Sequence, residues 1–431
     1  MDRAAASADT DADAGTDTGA GTDTDAVVVL DTYDEVREAL RQRDLKQALY
    51  DAGGAVMADS LITLHGEAHK RRRRAENRLF RRGTFRWWEL NLVPGTIEEG
   101  YAAALARGRT DLVHLGRRTI MYLTALVAGI DPPSDDAAAD RLEDLARVFS
   151  AGATAVHSTR DPGELRAEVE QAMAAFEEEF LAPARRRRED LLARLAAGDA
   201  AEEDLPRDVL TAVLRNRDEL GMTDAQIRRE VAFYLQAGSH STANLFTHSV
   251  HRIFSEWDDP AFAARLTDRR FVQRCVLETL RLNPASPVAW RRAQAPITLR
   301  SGRTIPEGAL VELDLRAANA DPAVFGPDAA SFDPDRDLPD GVQPWGHSFG
   351  GGTHACIGME LDGGVHSGSA DDQEHVYGTV TLMVVALLEA GVRPDPDESP
   401  TEDRASSRPN FERYPVVFDP AARTAHEEVP V

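Results

Sequence analysis

One stretch, from Thr223 to about Glu256, constrains the fold more than any other. Thr-Asp-Ala-Gln at 223–226 fits a capping box. The helical pattern then runs on for roughly 33 residues, about 50 Å at 1.5 Å per residue. A helix of that length crosses the whole body of its protein. The chain around it has 431 residues, enough to bury a deep core, and most of the body reads as helical. Periodic segments lie at Tyr33–Arg43, Glu67–Phe80, Gly116–Ala128, Asp140–Phe149, Gly163–Ala197 and Asp208–Asn216. The fifth is expected to break or kink at Pro183. Another helix, Asp268–Leu282, stops before Asn283-Pro284. Strand-like pieces are few: Ile297–Leu299, Leu310–Asp314 and Pro415–Phe418. The expected fold is mostly α with a small β portion. Residues 1–26 hold seven Asp and almost no large apolar side chains, so they read as a disordered acidic tail. Residues 27–431 read as a single domain.

Charge and cysteine content exclude several functions. Acids outnumber Lys plus Arg by 73 to 49, giving a net charge of -24, the wrong sign for a nucleic-acid protein. Two cysteines, Cys275 and Cys356, rule out a disulfide scaffold and any four-cysteine metal site. No apolar run approaches the roughly 20 residues that span a bilayer. The N-terminus has neither the basic nor the apolar region of a signal peptide. A soluble, cytoplasmic protein is expected.

Chemistry concentrates around Cys356, in FGGGTHACIG at Phe349–Gly358. Glycines let backbone approach a ligand closely, and N–H groups in such a loop stabilise a thiolate. The loop suits a thiolate nucleophile, a metal-bound thiolate, or a structural cysteine in a glycine turn. Zinc fits poorly, because His354 and Cys356 are two apart with no second cysteine near. In LETLRLNP, Glu278 and Arg281 share a helix face. The apolar residues around them (Val276, Leu277, Leu280 and Leu282) suggest a buried pair, which needs further partners. Arg336, in FDPDR, is a candidate third member.

Together these motifs resemble the cytochrome P450 superfamily, in its soluble bacterial branch. FGGGTHACIG fits that family's haem loop, and it follows an ExxR helix and an FDPxR turn in the family's order. The resemblance extends over roughly residues 30–420. It implies a cytochrome P450-like haem-thiolate fold around haem b (iron protoporphyrin IX), with Cys356 as the iron ligand and Phe349, Gly350 and Gly358 in its loop. Such a thiolate pushes electron density onto the iron. LHGEAHKRRRR matches the family's haem-propionate helix, making His69 and Arg73 the propionate pair. Arg291 and His354 match two further propionate positions. Arg71, Arg72 and Arg74 read as a solvated basic face suited to an acidic electron donor. No flavin or iron–sulfur segment is present, so the resemblance implies an external ferredoxin and ferredoxin reductase. Cys275 reads as core.

Two departures from the family stand out. Where relatives carry an acid and a threonine above the iron, at the end of (A/G)Gx(D/E)T, this chain reads Ala237-Gly238-Ser239-His240-Ser241-Thr242. Four polar residues in a row cannot all face solvent on a core-crossing helix, so a polar notch at the haem is expected. His240, Ser241 and Thr242 are its catalytic candidates. With a reference pKa of about 6.5, His240 would give turnover a pH limb near neutrality. Monooxygenation of a small organic substrate, in secondary metabolism, is the expected reaction. Peroxide use, desaturation, ring formation and isomerisation stay open, as does a non-catalytic haem sensor. The second departure is a polar insertion at 363–378 after the cysteine. There His366, Asp371, Asp372, Glu374 and His375 form either a solvated loop or a metal site. Substrate-lining segments are expected at Lys46–Leu64, Phe149–His157, Pro287–Trp290 and Asn410–Tyr414.

Overall fold

A computed structural model describes residues 27–50, 53–153, 155, 158, 160–365, 375–404 and 408–419. The acidic tail over 1–26 lies outside these residues.

The long helix spans Asp224–Ser255, 32 residues. Its capping box forms: the Thr223 hydroxyl accepts from the Gln226 amide at 3.3 Å, and Gln226 Oε1 accepts from the Thr223 amide at 3.0 Å. It packs along Leu112–Ala128. Two glycines set that closeness. A Cβ on Gly116 would sit 2.7 Å from Phe246, and one on Gly238 would sit 2.9 Å from Thr124. The break expected at Pro183 falls one turn earlier, as a π-turn over Glu177–Leu181 between helices Pro162–Phe176 and Ala182–Ala197. Proline lacks an N–H and crowds the carbonyl four residues back, so the ladder widens before it. Helices Arg82–Asn91 and Val93–Arg107 were not expected.

The β portion is larger than expected. A four-stranded sheet has the order Val27–Leu30, Leu310–Asp314, Val288–Ala293, Leu45–Gln47. The first pair is parallel, with Val27 opposite Leu310; the others are antiparallel. Gln47 lies opposite Arg291, which brings the Tyr50 segment toward that arginine. Pro415–Phe418 joins Arg109–Asp111 and Val392–Pro394 in a second sheet. Among the described residues no helix is long and apolar enough to cross a membrane.

After the cysteine loop only a short helix forms, Met359–Gly363. The chain leaves it at Val365 and returns at His375 through a closed neck. Val365 N–H bonds the Val376 carbonyl at 2.8 Å. Gln273 Nε2 donates to the carbonyls of Gly363, Val376 and Tyr377. Glu89 accepts from the amides of Tyr377 and Gly378. His375, offered above as a metal ligand, is buried with Nε2 2.9 Å from Gln273 Oε1, so it belongs to this neck. His366, Asp371, Asp372 and Glu374 lie outside the described residues.

Candidate active site

The base of the site is the helix Arg269–Leu282. Arg281, fully buried, donates from Nε and Nη2 to the two oxygens of Glu278 at 2.7 and 2.6 Å. Its Nη1 bonds the Asn319 and Ala329 carbonyls at 2.5 and 2.7 Å. Arg336 is the third member, 3.4 Å from Glu278 and bonded to the Phe325 carbonyl and Asp328. Asn319 carries the network onward, accepting from the His347 amide at 2.6 Å and donating to Ser348 at 2.9 Å. The loop beginning at Phe349 is thus tied to the buried pair.

Within that loop Gly352 has φ +62°, and a Cβ there would fall 2.2 Å from the Leu40 carbonyl oxygen; only glycine fits. Gly350 also takes a positive φ. Phe349 packs edge-on against Trp345. The Cys356 amide closes the turn onto the Phe349 carbonyl at 2.9 Å. The Cys356 side chain is accessible, yet set deep enough that burial, reinforced by Asp362, pushes its thiol up to about 11. The Gly358 N–H and Arg73 act in the opposite direction. Gly358 therefore faces the sulfur. Cys275 is fully buried core, its thiol pushed well up by burial.

A cationic rim surrounds the loop. Arg73 Nη2 donates to the Ala355 carbonyl at 2.9 Å. His69 and His354 pack with their rings tilted against each other, 4.4 Å between centroids. Burial, then Arg73 and His65, lower His69 to about 4. Burial, then His69 and Arg291, lower His354 to about 3. Arg291 is buried, donates to the Trp290 carbonyl at 2.9 Å, and is lowered to about 10 by burial. Among the described residues no carboxylate pairs with Arg291. The buried Nε2 of His69 has no hydrogen-bond partner. Buried polar groups ordinarily find partners. Two arginines and two neutral imidazoles, one of them with an orphaned ring nitrogen, converge without an acid among the described residues, which fits a ligand with carboxylates, as haem has. The geometry brings His69, Arg73, Arg291, His354 and Cys356 together.

The polar notch is organised differently from its expectation. Ser241 Oγ donates to its own helix at the Ala237 carbonyl, 2.8 Å away. His240 Nε2 lies 3.2 Å from Asn244 Nδ2. Burial, then Arg408 and Arg117, lower His240 to about 4. It stays neutral near pH 7, so turnover is expected to show no limb there from His240. Thr242 turns to Asp362, donating at 3.0 Å. Burial pushes the Asp362 carboxyl up to about 7. This acid, six residues past the cysteine, was missed because only the fold brings it to the long helix.

Two other readings change. Arg72 is not on a solvated face: it is buried and paired to Glu230 at 2.6 Å. Phe149 is fully buried against Phe176, so it lines no cleft; residues 156 and 157 lie outside the described set. Pro287 and Asn410 do meet Ser241, Asn244 and His248 around one cleft, with Arg316 and Arg408. A second, open groove of about 630 Å³ is lined by His69, Lys70, Arg73, Arg74, Asn77, Arg78, Arg81 and Thr353. Among the described residues that line it there is no acid.

Comparison with known proteins agrees with this architecture. The family model described as Cytochrome P450 matches residues 136–361, more than half the chain. The chain is 26% identical over 367 residues to cyclooctat-9-en-7-ol 5-monooxygenase of Streptomyces melanosporofaciens, covering 75% of this chain and 74% of that protein. It is 30% identical over 216 residues to human cytochrome P450 4A22, where the match covers 45% of this chain and only 38% of the relative. The crystal structure of CalO2 superposes with a TM-score of 0.69 at 20% identity, covering 91% of this chain and 90% of that one.

Proposed function

The chain belongs to the cytochrome P450 family, and from that premise we propose that it is a haem-thiolate monooxygenase inserting one atom of dioxygen into a small organic substrate. The observation that carries this reading is the acid-free rim of Arg73, Arg291, His69 and His354 around the accessible Cys356. In it, Cys356 would ligate the iron of haem b. Arg73 and Arg291 would neutralise the propionates, with the neutral rings of His69 and His354 donating N–H groups. The bound haem supplies oxygen activation and a thiolate-tuned iron. The chain's own residues orient it and keep water and protons in order. Gly358 directs an N–H at the sulfur, which favours the thiolate form. His240, neutral and bridged to Asn244, acts as a hydrogen-bonding wall.

The test is spectral and then chemical. The reduced carbon-monoxide complex of fresh protein should show the red-shifted Soret band of a thiolate-ligated haem. A metabolite screen should then find compounds that shift the resting Soret band and are oxygenated. A histidine-type band in folded wild type would overturn the assignment. A second reading, peroxide-driven chemistry, is favoured by one observation: Ser241 bonds its own helix carbonyl. Product formed with peroxide but not with dioxygen and a reductant would select it.

Electrons would come from a ferredoxin and its reductase. The groove of Arg74, Arg78 and Arg81 replaces the Arg71–Arg72–Arg74 face as its docking surface, because Arg72 is buried. On a chain of net charge -24, such a patch steers an acidic partner by about tenfold or more. Changing Arg74 and Arg81 to Glu should slow donor association by that factor, and added salt should slow wild type likewise. A stopped-flow rate indifferent to both would exclude docking there.

A further inference from the structure

The cleft beside the notch has a lining that the oxygen chemistry above does not use. Ser241, Asn244 and His248 form its long-helix wall, and Arg316 and Arg408 enter it from two other segments. Acids outnumber Lys plus Arg by 73 to 49 in this chain, yet among the described residues that line the cleft there is no acid. Arg316 is exposed, and its amide bonds the Pro287 carbonyl of the same cleft at 3.1 Å. Among the described residues no carboxylate forms an ion pair with it. Asn283 Oδ1 accepts from Arg252 at 3.4 Å, which leaves its amide hydrogens for the cleft. Leu282, Ala285 and Pro287 add an apolar wall.

Arg408 is held in place from the long helix. The His248 ring is hydrogen-bonded to the Asn410 side chain and the Pro409 backbone, so the two residues after Arg408 are pinned there. The Asn410 amide in turn bonds the Arg408 carbonyl at 2.8 Å. Arg408 lies within electrostatic reach of His240 and of Tyr50, and Tyr50 is also reached by Arg291 and Cys356. The cleft and the hollow at Cys356 are thus neighbours. Arg117 acts on His240 together with Arg408, and Asp403 opposes them more weakly. Arg117, Arg316 and Arg408 against Asp403 leave the region positive. The cleft is also small. Its volume is about 20 Å³, where a single water needs about 10–15 Å³. That space takes the two oxygens of a carboxylate and excludes a bulkier phosphate or sulfate.

We propose that this cleft is the head-group subsite for the substrate, and that the substrate is an organic acid bound as its carboxylate by Arg408 and Arg316, with Asn283 as a third donor. The inference rests on the monooxygenase reading, because it names the class of molecule that reading oxygenates. Guanidinium N–H groups match the two oxygens of a carboxylate. Burying an anion is costly unless cations and donors meet it. Here they converge before the ligand arrives, which lowers the ordering cost of binding. Asn244 and His248 follow Ser241 by three and seven residues on the long helix, so the head lies one to two turns beyond the notch. The hydrocarbon remainder then runs back past Ser241 toward Tyr50 and the Cys356 hollow. An ammonium head would meet the arginines as like charges. No bond to the head group forms or breaks in the reaction; the subsite only holds it.

Soret titrations of the holoprotein decide it, with a series of straight-chain and phenyl-substituted alkanoic acids, each against its own primary amide. The amide keeps the shape and removes the charge. In wild type the acids should bind about tenfold or more tighter than their amides. Arg316→Gln and Arg408→Gln should each reduce that ratio, and the double variant should bring it to about one, with the haem content of wild type. Arg408→Lys should keep part of the preference. Acids that bind no tighter than their amides overturn the proposal, as does a series in which no acid binds at about 1 mM. A preference that survives the double substitution overturns it too. Loss of haem from Arg408→Gln would put that arginine on the cofactor and overturn its role here. The titration uses neither dioxygen nor reductant, so the two readings fail separately. A protein that prefers acids yet oxygenates none of them overturns the monooxygenase reading alone. One that oxygenates neutral compounds and ignores acids overturns the subsite alone.

Discussion

Glu278→Ala yields little soluble, haem-loaded protein. The substitution strands Arg281, which is 0% exposed, and removes its two bonds to a carboxylate at 2.6 and 2.7 Å. Arg336 and the Asp333 amide lose the same acceptor. Breaking one partner of a buried pair costs about 3–5 kcal/mol, against a total stability of about 5–15 kcal/mol for a typical domain. The damage also has a direction: Asn319 links Arg281 to His347 and Ser348, so the cysteine loop loses its anchor together with the core. Soluble yield and haem per chain measure it. Normal values for both would mean the pair holds nothing in place.

Cys356→Ala has the second large effect, on the haem rather than on the fold. The Cys356 side chain is accessible and fills no core gap, so the variant should fold with a melting temperature close to that of wild-type protein freed of haem. The sulfur is the loop's only soft donor. His354, two residues away, is turned against His69 and is in no position to replace it. The reduced carbon-monoxide complex should therefore lose its red-shifted band entirely, and donor-driven product formation should fall to background. A red-shifted band in Cys356→Ala would show that the thiolate comes from elsewhere, and Cys275, wholly buried, is unable to supply it.

What the sequence made legible was local. The Thr223 capping box and the Glu278–Arg281 pair lie within single helical turns, and neighbouring apolar residues advertise the pair's burial. The glycines around Cys356 announce a backbone held close to something. Features made by distant partners were not readable. Val27–Leu30 is a strand because Leu310–Asp314 lies alongside it, and four residues carry too little pattern to say so. Helices Arg82–Asn91 and Val93–Arg107 adjoin with Pro94 in the first turn of the second, which blurs their period. Arg72 sits in a run of four arginines that reads as surface; its partner Glu230 is 158 residues away. His240 looked like a switch at its ordinary pKa, and burial removed that property. Asp362 was invisible for the same reason, since its chemistry comes from what the fold sets against it.

The neck behind the cysteine helix has a consequence for anyone re-engineering this chain. Val365 and Val376 are joined by a backbone bond of 2.8 Å, and Gln273 and Glu89 clamp the returning segment from two separate helices. The chain therefore exits and re-enters at one point, as at the base of a hairpin. A guest module whose own ends lie close together, such as a small electron-carrier domain, has a natural splice position between those valines. Its attachment would be insulated from Cys356 by the clamp, so a self-sufficient fusion could be built there without touching either terminus.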